Sequence, residues 1–379
     1  MSGRVSAQTD HDGDEGPASA AAMPPASSVS AERLRSVFDA PAELTVGVEE
    51  ELMLLDPATL DLAPRAPEVL GLLGGDPRFK LELPAAHLEI VLPPCGSAAE
   101  VGEQLRVARR DLVAAAGDSV RFAAAAVHPF ANPLGVLNRG GRYDEIANAY
   151  GDVARLQLVC SLQVHVAVRG ADRALAVYNA MRPYLPLVAA LAANGPIYAG
   201  RDTGLASVRP KICDILPRQG VAPVIASWEA HAASLAQLPH PSRWWWEMRP
   251  HPSFGTLEVR VPDAQASVED AEAVVAVVHA LAAWLAGRVD AGEALPVPDD
   301  WVVGEDRWTA CRHGADGPLR ARVAALLEAL APVAERQGGA AGLASARRLL
   351  DAGGWERQRA AFARGGARAA VEDLVRRFA

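Results

Sequence analysis

The chain has 379 residues, half of them hydrophobic, and a formal net charge of −9. That is enough for one large domain or two ordinary ones around a substantial core, and the acidic balance argues against nucleic acid or an anionic membrane as the main partner, since both call for a basic face. Cys95, Cys160, Cys213 and Cys311 lie far apart with no C-x-x-C pair, so neither a disulfide framework nor a cysteine zinc site is signalled and a reducing cytoplasm is the natural compartment.

Residues 1–40 open on Ser, Ala, Gly, Pro and acids without the charged-then-apolar order of a signal peptide, which predicts a disordered tail before a single domain over 41–379. "LTVGVEEELMLLD" reads as a strand, and "KLELPAAHLEIVLP" as a second extended segment broken by Pro84. A helix follows, with Ser97 as N-cap, Glu100 as capping-box partner and Gly117 near its end. "VRFAAAAVHPF" and "LQLVCSLQVHVAV" read as strands, the second apolar enough to be buried. Residues 172–193 are helical, with Pro183 and Pro186 placed to break the run.

Residues 194–220 form a loop too long and polar for a mere connection. In "RWWWEMRPHPSFGTLEVRVPDAQ" a clear strand runs from Thr256 to Val261, and 267–379 is mainly helical. The apolar stretch at 273–287 is too short and alanine-rich for a membrane span. Strands and helices mix without βαβ alternation, which predicts α+β around an antiparallel sheet.

Lys80 and Lys211 are the only lysines, and neither is followed by Ser or Thr as a P-loop requires. No G-x-G-x-x-G follows a strand, and G-x-S-x-G and H-E-x-x-H are absent. The chemistry must come from elsewhere, and the acids within apolar strands are the candidates. Alternation puts Glu49 and Glu51 on one face and Glu50 on the other. Either this is an edge strand with its acids in water, or one face buries carboxylates that need a partner or a metal. For Glu50 a salt bridge behind the sheet is expected, with its substitution mattering far less than that of either neighbour.

Glu89 and Glu258 also sit in apolar runs, with Arg260 two residues after Glu258 on the same face. Oxygen ligands converging from several rigid strands suit a hard divalent cation. Gln163 and His165 share a strand face; a lone buried histidine is usually a core residue, but beside carboxylates it suits Mg²⁺ or Mn²⁺. Mg²⁺ held by a few carboxylates is commonly completed by substrate phosphates, which points to ATP without a P-loop. Arg209, Arg249 and Arg260 can supply forks for phosphate or carboxylate, although ordinary salt bridges use the same residues. Core packing is the expected role of Trp244, Trp245 and Trp246.

Together "GVEEELMLLDP", "LELPAAHLEIV", "VHPF", "VHV", "RDTGLASVRP", "WEMRPHPSFGTLEVRVPD" and "ACRHG" resemble the carboxylate-amine ligase family of glutamate–cysteine ligase type 2, in family order over 43–379. The resemblance implies a glutamine synthetase-like fold, a curved antiparallel sheet forming an active-site funnel flanked by helices and holding Mg²⁺ and ATP. It implies a cytoplasmic ligase in which ATP phosphorylates the γ-carboxylate of L-glutamate and an amine such as cysteine displaces the phosphate. By motif, Glu49, Glu51, Glu89, Glu258, Gln163 and His165 correspond to metal positions, the amide oxygen of Gln163 being able to ligate Mg²⁺. Arg209 and Arg260 correspond to catalytic grips on phosphate or carboxylate, and Arg249 and His128 to further substrate-binding positions.

Two departures stand out. Gln163 replaces the first histidine of a His-Val-His, and Ala85 stands where relatives carry an acid, with Glu82 as a local substitute. A phosphagen-type kinase and a nucleotide-binding regulatory protein without catalysis are the alternatives on the same fold. The alanine-rich helices after 267 could support a homodimer.

Overall fold

In the computed structural model, which describes residues 29–40 and 42–378, nine strands form: β1 Val46–Leu55, β2 Phe79–Leu81, β3 His87–Val91, β4 Arg121–Ala123, β5 Leu162–Ala167, β6 Ile197–Tyr198, β7 Arg201–Asp202, β8 Met248–Pro250 and β9 Thr256–Val259. The main sheet runs β2-β3-β1-β5-β9-β8, with β4 also on β1, and its ladders are antiparallel. With helices around it, the class is α+β, as the mixed element order predicts.

Register does the positioning. Glu51 lies opposite Glu89, itself opposite Lys80. Glu49 faces Gln163, and His165 faces Glu258, itself opposite Arg249. Directly opposed residues share a face, so one face gathers the polar side chains of six strands. The other face carries Val48, Leu52, Leu54, Leu88, Ile90, Leu162, Val164, Val166, Leu257 and Val259, all buried, beneath the helices Ala98–Ala116 and Val268–Asp290. That second helix is longer than the 273–287 stretch suggested. It is long and apolar enough to cross a membrane by length and composition, yet most of it is buried in the core.

Local signals act where they were read. Ser97 Oγ accepts from Glu100 N, Glu100 Oε2 reaches back to Gly96 N, and Gly117 caps the helix at φ 54°. Pro183 and Pro186 divide the next helical run into Ala171–Met181, the turn Arg182–Tyr184 and Leu185–Leu191. The expected 40-residue tail needs correction at its end. Ala31–Asp39 is a helix capped by Ser30, with Leu34 and Phe38 buried and Phe38 packed 4.9 Å from Trp228. A single i, i+4 apolar pair holds it, a signal that polar composition hides. Residues 1–28 lie outside the described residues.

Glu50 projects to the helical side. Its carboxylate takes two bonds from Arg109, at 2.6 and 2.9 Å, and Arg109 also donates to the carbonyls of Gln265, Ala266 and Phe378 and lies 4.5 Å over the Phe378 ring. The salt bridge behind the sheet is present, but its side chains are about 1% exposed or less. Breaking a buried pair strands a charge, so Glu50 bears on stability although its carboxylate faces away from the cavity. Glu50→Ala should cost about 3–5 kcal/mol of unfolding free energy in urea; a loss under about 1 kcal/mol would show the pair to be dispensable.

His231 is buried against Trp228 and Trp244 with no hydrogen-bond partner on either ring nitrogen among the described residues. Burial pulls its pKa from 6.5 down to about 4. The unfolded chain therefore binds a proton that the folded one refuses, and stability falls as pH drops from about 6.5 to about 4, by about 1.4 kcal/mol per pH unit for this one proton. His231→Phe should flatten the urea-midpoint profile in that window, and an unchanged profile would contradict this account.

Candidate active site

The polar face of the sheet floors a cavity of about 640 Å³. Two groups of ligand atoms converge there, Glu49 with His165 and Glu258, and Glu51 with Glu82 and Glu89, the atoms of each group lying within 4.8 Å of one another. Residue 47 is glycine, and a Cβ there would meet the Cβ of His165 at 3.7 Å. The strand thus leaves open the spot opposite the imidazole. His165 Nδ1 pairs with Thr256 Oγ1 at 3.0 Å, while its buried Nε2 has no hydrogen-bond partner among the described residues and lies 3.7 Å from Glu49 Oε1. The imidazole is thus fixed at one nitrogen and leaves the other, beside Glu49, without a partner among the described residues.

The two groups differ electrostatically. Burial and the charge of Glu82 raise the Glu51 carboxyl to about 7, against the pull of Arg260. Glu89 is pushed well above the ordinary carboxylate value by burial and by Glu49, Glu82 and Glu51, and burial raises Glu82 despite Arg142. These three carboxylates share too little positive charge, the condition that a bound cation relieves. Burial alone would raise Glu258 too, but the guanidiniums of Arg249 and Arg260 hold it well below the usual range. Arg249 Nε donates to one carboxylate oxygen at 2.5 Å, and Arg260 Nη1 donates to the other and to Gln163 Oε1.

The helix Gly141–Tyr150 and Trp245 also line the cavity. Tyr143 OH donates to Leu81 O on β2 at 2.8 Å, Arg218 donates to Tyr150 OH at 2.8 Å, and Tyr150 lies 5.6 Å from Trp245. Arg142 and Arg243 line the cavity with them. The carboxylates of β1 and β3 and the guanidiniums of Arg249 and Arg260 thus border one cavity, which suits a cation and anionic groups side by side.

The family model for glutamate-cysteine ligase family 2 matches residues 45–377. The chain belongs to that family. A protein of Rubrobacter xylanophilus named "Putative glutamate--cysteine ligase 2-3" is 37% identical over 363 residues, spanning 89% of this chain and 98% of that one. A Thermobifida fusca relative named "Putative glutamate--cysteine ligase 2" is 33% identical over 368 residues, spanning 90% and 92%. Among solved structures, a glutamate–cysteine ligase of Francisella tularensis in complex with AMP matches with a TM-score of 0.66 at 12% identity over 88% of each chain. A bifunctional glutathione synthetase of Pasteurella multocida matches at 0.62 and 14%, over 92% of this chain and 53% of that one. At such identities the shared property is the fold, and it is a ligase fold.

Of the residues marked by family motifs, Glu49, Glu51, Glu89, Gln163, Arg209, Arg249 and Arg260 line the cavity, with Glu258 and His165 in the ligand group at its floor. Glu82, adjacent to the edge strand β2, completes the second group where Ala85 offers no acid. His128 is not in the site. Its Nε2 bonds Leu60 O at 2.8 Å and its Nδ1 accepts from Phe130 N and Ala131 N, so "VHPF" is a turn stapled by its own imidazole. Arg209 is largely committed to the fold: Nε donates to Asp263 at 2.7 Å and Nη2 to the carbonyls of Arg260, Val261 and Pro262. Its grip on substrate is limited to the remaining Nη1. Lys80, Arg142, Arg243 and Trp245 also line the cavity and carry no motif that marks them. Trp244 is buried as expected, whereas Trp245 faces the cavity.

Proposed function

We propose that this cavity binds ATP and a small carboxylate, L-glutamate, converts the γ-carboxylate to an acyl phosphate and joins it to an amine such as cysteine. The observation that carries the reading is the pair of three-ligand groups on one sheet face in a cavity also lined by arginines, in a chain of glutamate-cysteine ligase family 2. The donors fit Mg²⁺ or Mn²⁺: five carboxylates, one imidazole and no thiolate. Glu49, His165 and Glu258 would hold one ion and Glu51, Glu82 and Glu89 another. Bound there, such ions neutralise charge on the transferring phosphoryl group.

The chain's own residues supply the rest. Arg249 and Arg260, with Arg142 and Arg243 on the cavity wall, present guanidiniums to the phosphates and the substrate carboxylates. A carboxylate oxygen of glutamate attacks the γ-phosphorus and ADP leaves; the amine nitrogen then attacks the acyl carbon and phosphate leaves.

Hydroxylamine tests the intermediate. With glutamate, ATP and Mg²⁺ the protein should accumulate a hydroxamate, and none with any of a panel of carboxylic acids would overturn the ligase reading. Glu89→Gln should lower that yield by at least about a hundredfold while the fold is retained. Glu89 is a cleaner site to test than Glu258, whose loss would strand the guanidiniums of Arg249 and Arg260.

A further inference from the structure

Gln163 stands between the two ligand groups, opposite Glu49 in the register and 3% exposed. Both ends of its amide are engaged. Nε2 donates to Glu51 Oε1 at 3.0 Å, and Oε1 accepts from Arg260 Nη1, the nitrogen that also donates to Glu258 Oε1. A continuous path of polar contacts thus crosses the sheet from Glu51 through Gln163 and Arg260 to Glu258 and Arg249. An amide oxygen already facing a guanidinium has a positive charge where a cation would have to sit.

The two arginines on Glu258 are anchored differently. Arg249 is also tied to the carbonyls of Ser242 and Trp244. The side-chain bonds of Arg260 among the described residues go to Glu258 and Gln163 alone, and the residue borders the cavity. Arg260 is therefore the partner that Glu258 can exchange.

We infer that Gln163 is a positioning residue and not a cation ligand: it holds Arg260 across Glu258, and Arg260 competes with a cation for Glu258 Oε1. The inference rests on the cation-binding reading above. Its consequence is an order of events, in which a cation seated by Glu49, His165 and Glu258 displaces Arg260 from the carboxylate and leaves its charge to the cavity, anchored by Gln163. The arginine then becomes available to an anion only after the cation has arrived.

Mn²⁺ binding to the full-length protein without nucleotide, read from the electron paramagnetic resonance of free Mn²⁺, decides the matter. Gln163→Met changes no charge, yet it removes the support that keeps Arg260 on Glu258, so Mn²⁺ should bind several-fold more tightly. Arg260→Met should tighten binding by about tenfold, the worth of releasing one charge-assisted hydrogen bond. Adding Gln163→Met to Arg260→Met should bring no further tightening at the site of Glu49, His165 and Glu258, where Gln163 then has no arginine to hold; any remaining effect belongs to the Glu51 group, to which its Nε2 donates. Each variant predicts tighter binding on its own, so if circular dichroism shows one to be unfolded, the other carries the test. Weaker binding in Gln163→Met would make Gln163 a ligand and overturn the inference; unchanged binding in the folded variants would overturn it by showing no competition. Failure of the wild-type protein to bind Mn²⁺ would overturn the underlying cation reading as well.

Discussion

The antiparallel register of β1 between β3 and β5 is the constraint on which the rest depends. A shift of one residue would turn Glu49 and Glu51 toward the helices and bring Glu50 to the cavity. The buried pair of Glu50 with Arg109 opposes that shift, because it ties the intervening residue to the helix Ala98–Ala116 and, through Arg109, to the C-terminal Phe378. An interaction on the opposite face of the sheet thus keeps Glu49 and Glu51 facing the cavity. Its net contribution to stability is small relative to an apolar replacement, and its value lies in the register it specifies.

The site is a balance of unequal charges. One ligand group is short of positive charge and holds its carboxylates above their ordinary range; the other is oversupplied, with Glu258 between two guanidiniums. Gln163 joins them by an amide that donates to the first and accepts from the arginine of the second. Such a path couples the two halves without adding charge, and a substitution at Gln163 acts on both.

Much of this was legible in the chain. Alternation alone separated Glu49 and Glu51 from Glu50, since side-chain direction in a strand is fixed by parity. Apolar context marked Glu89 and Glu258, and the capping residues of the helix Ala98–Ala116 worked as read. What stayed hidden depends on partners distant in sequence. Nothing in "VHPF" says that both nitrogens of His128 are spent on backbone, nor does "SVRP" reveal that Arg209 is held by Asp263, 54 residues away. The strand β8 is only three residues long and ends on Pro250, so it does not stand out, and the helix Ala31–Asp39 was concealed by a polar neighbourhood. The buried role of Glu50 was legible in direction but not in weight, because weight depends on exclusion from water.

The central claim is that one sheet face holds two cation sites side by side. Crystals grown with Mn²⁺ and a non-hydrolysable ATP analogue, with data collected at the manganese edge, test it most directly. The account predicts two anomalous peaks, one bounded by Glu49, His165 and Glu258 and the other by Glu51, Glu82 and Glu89, with the triphosphate on the arginine side. Peaks elsewhere, or nucleotide bound with neither group occupied, would contradict it.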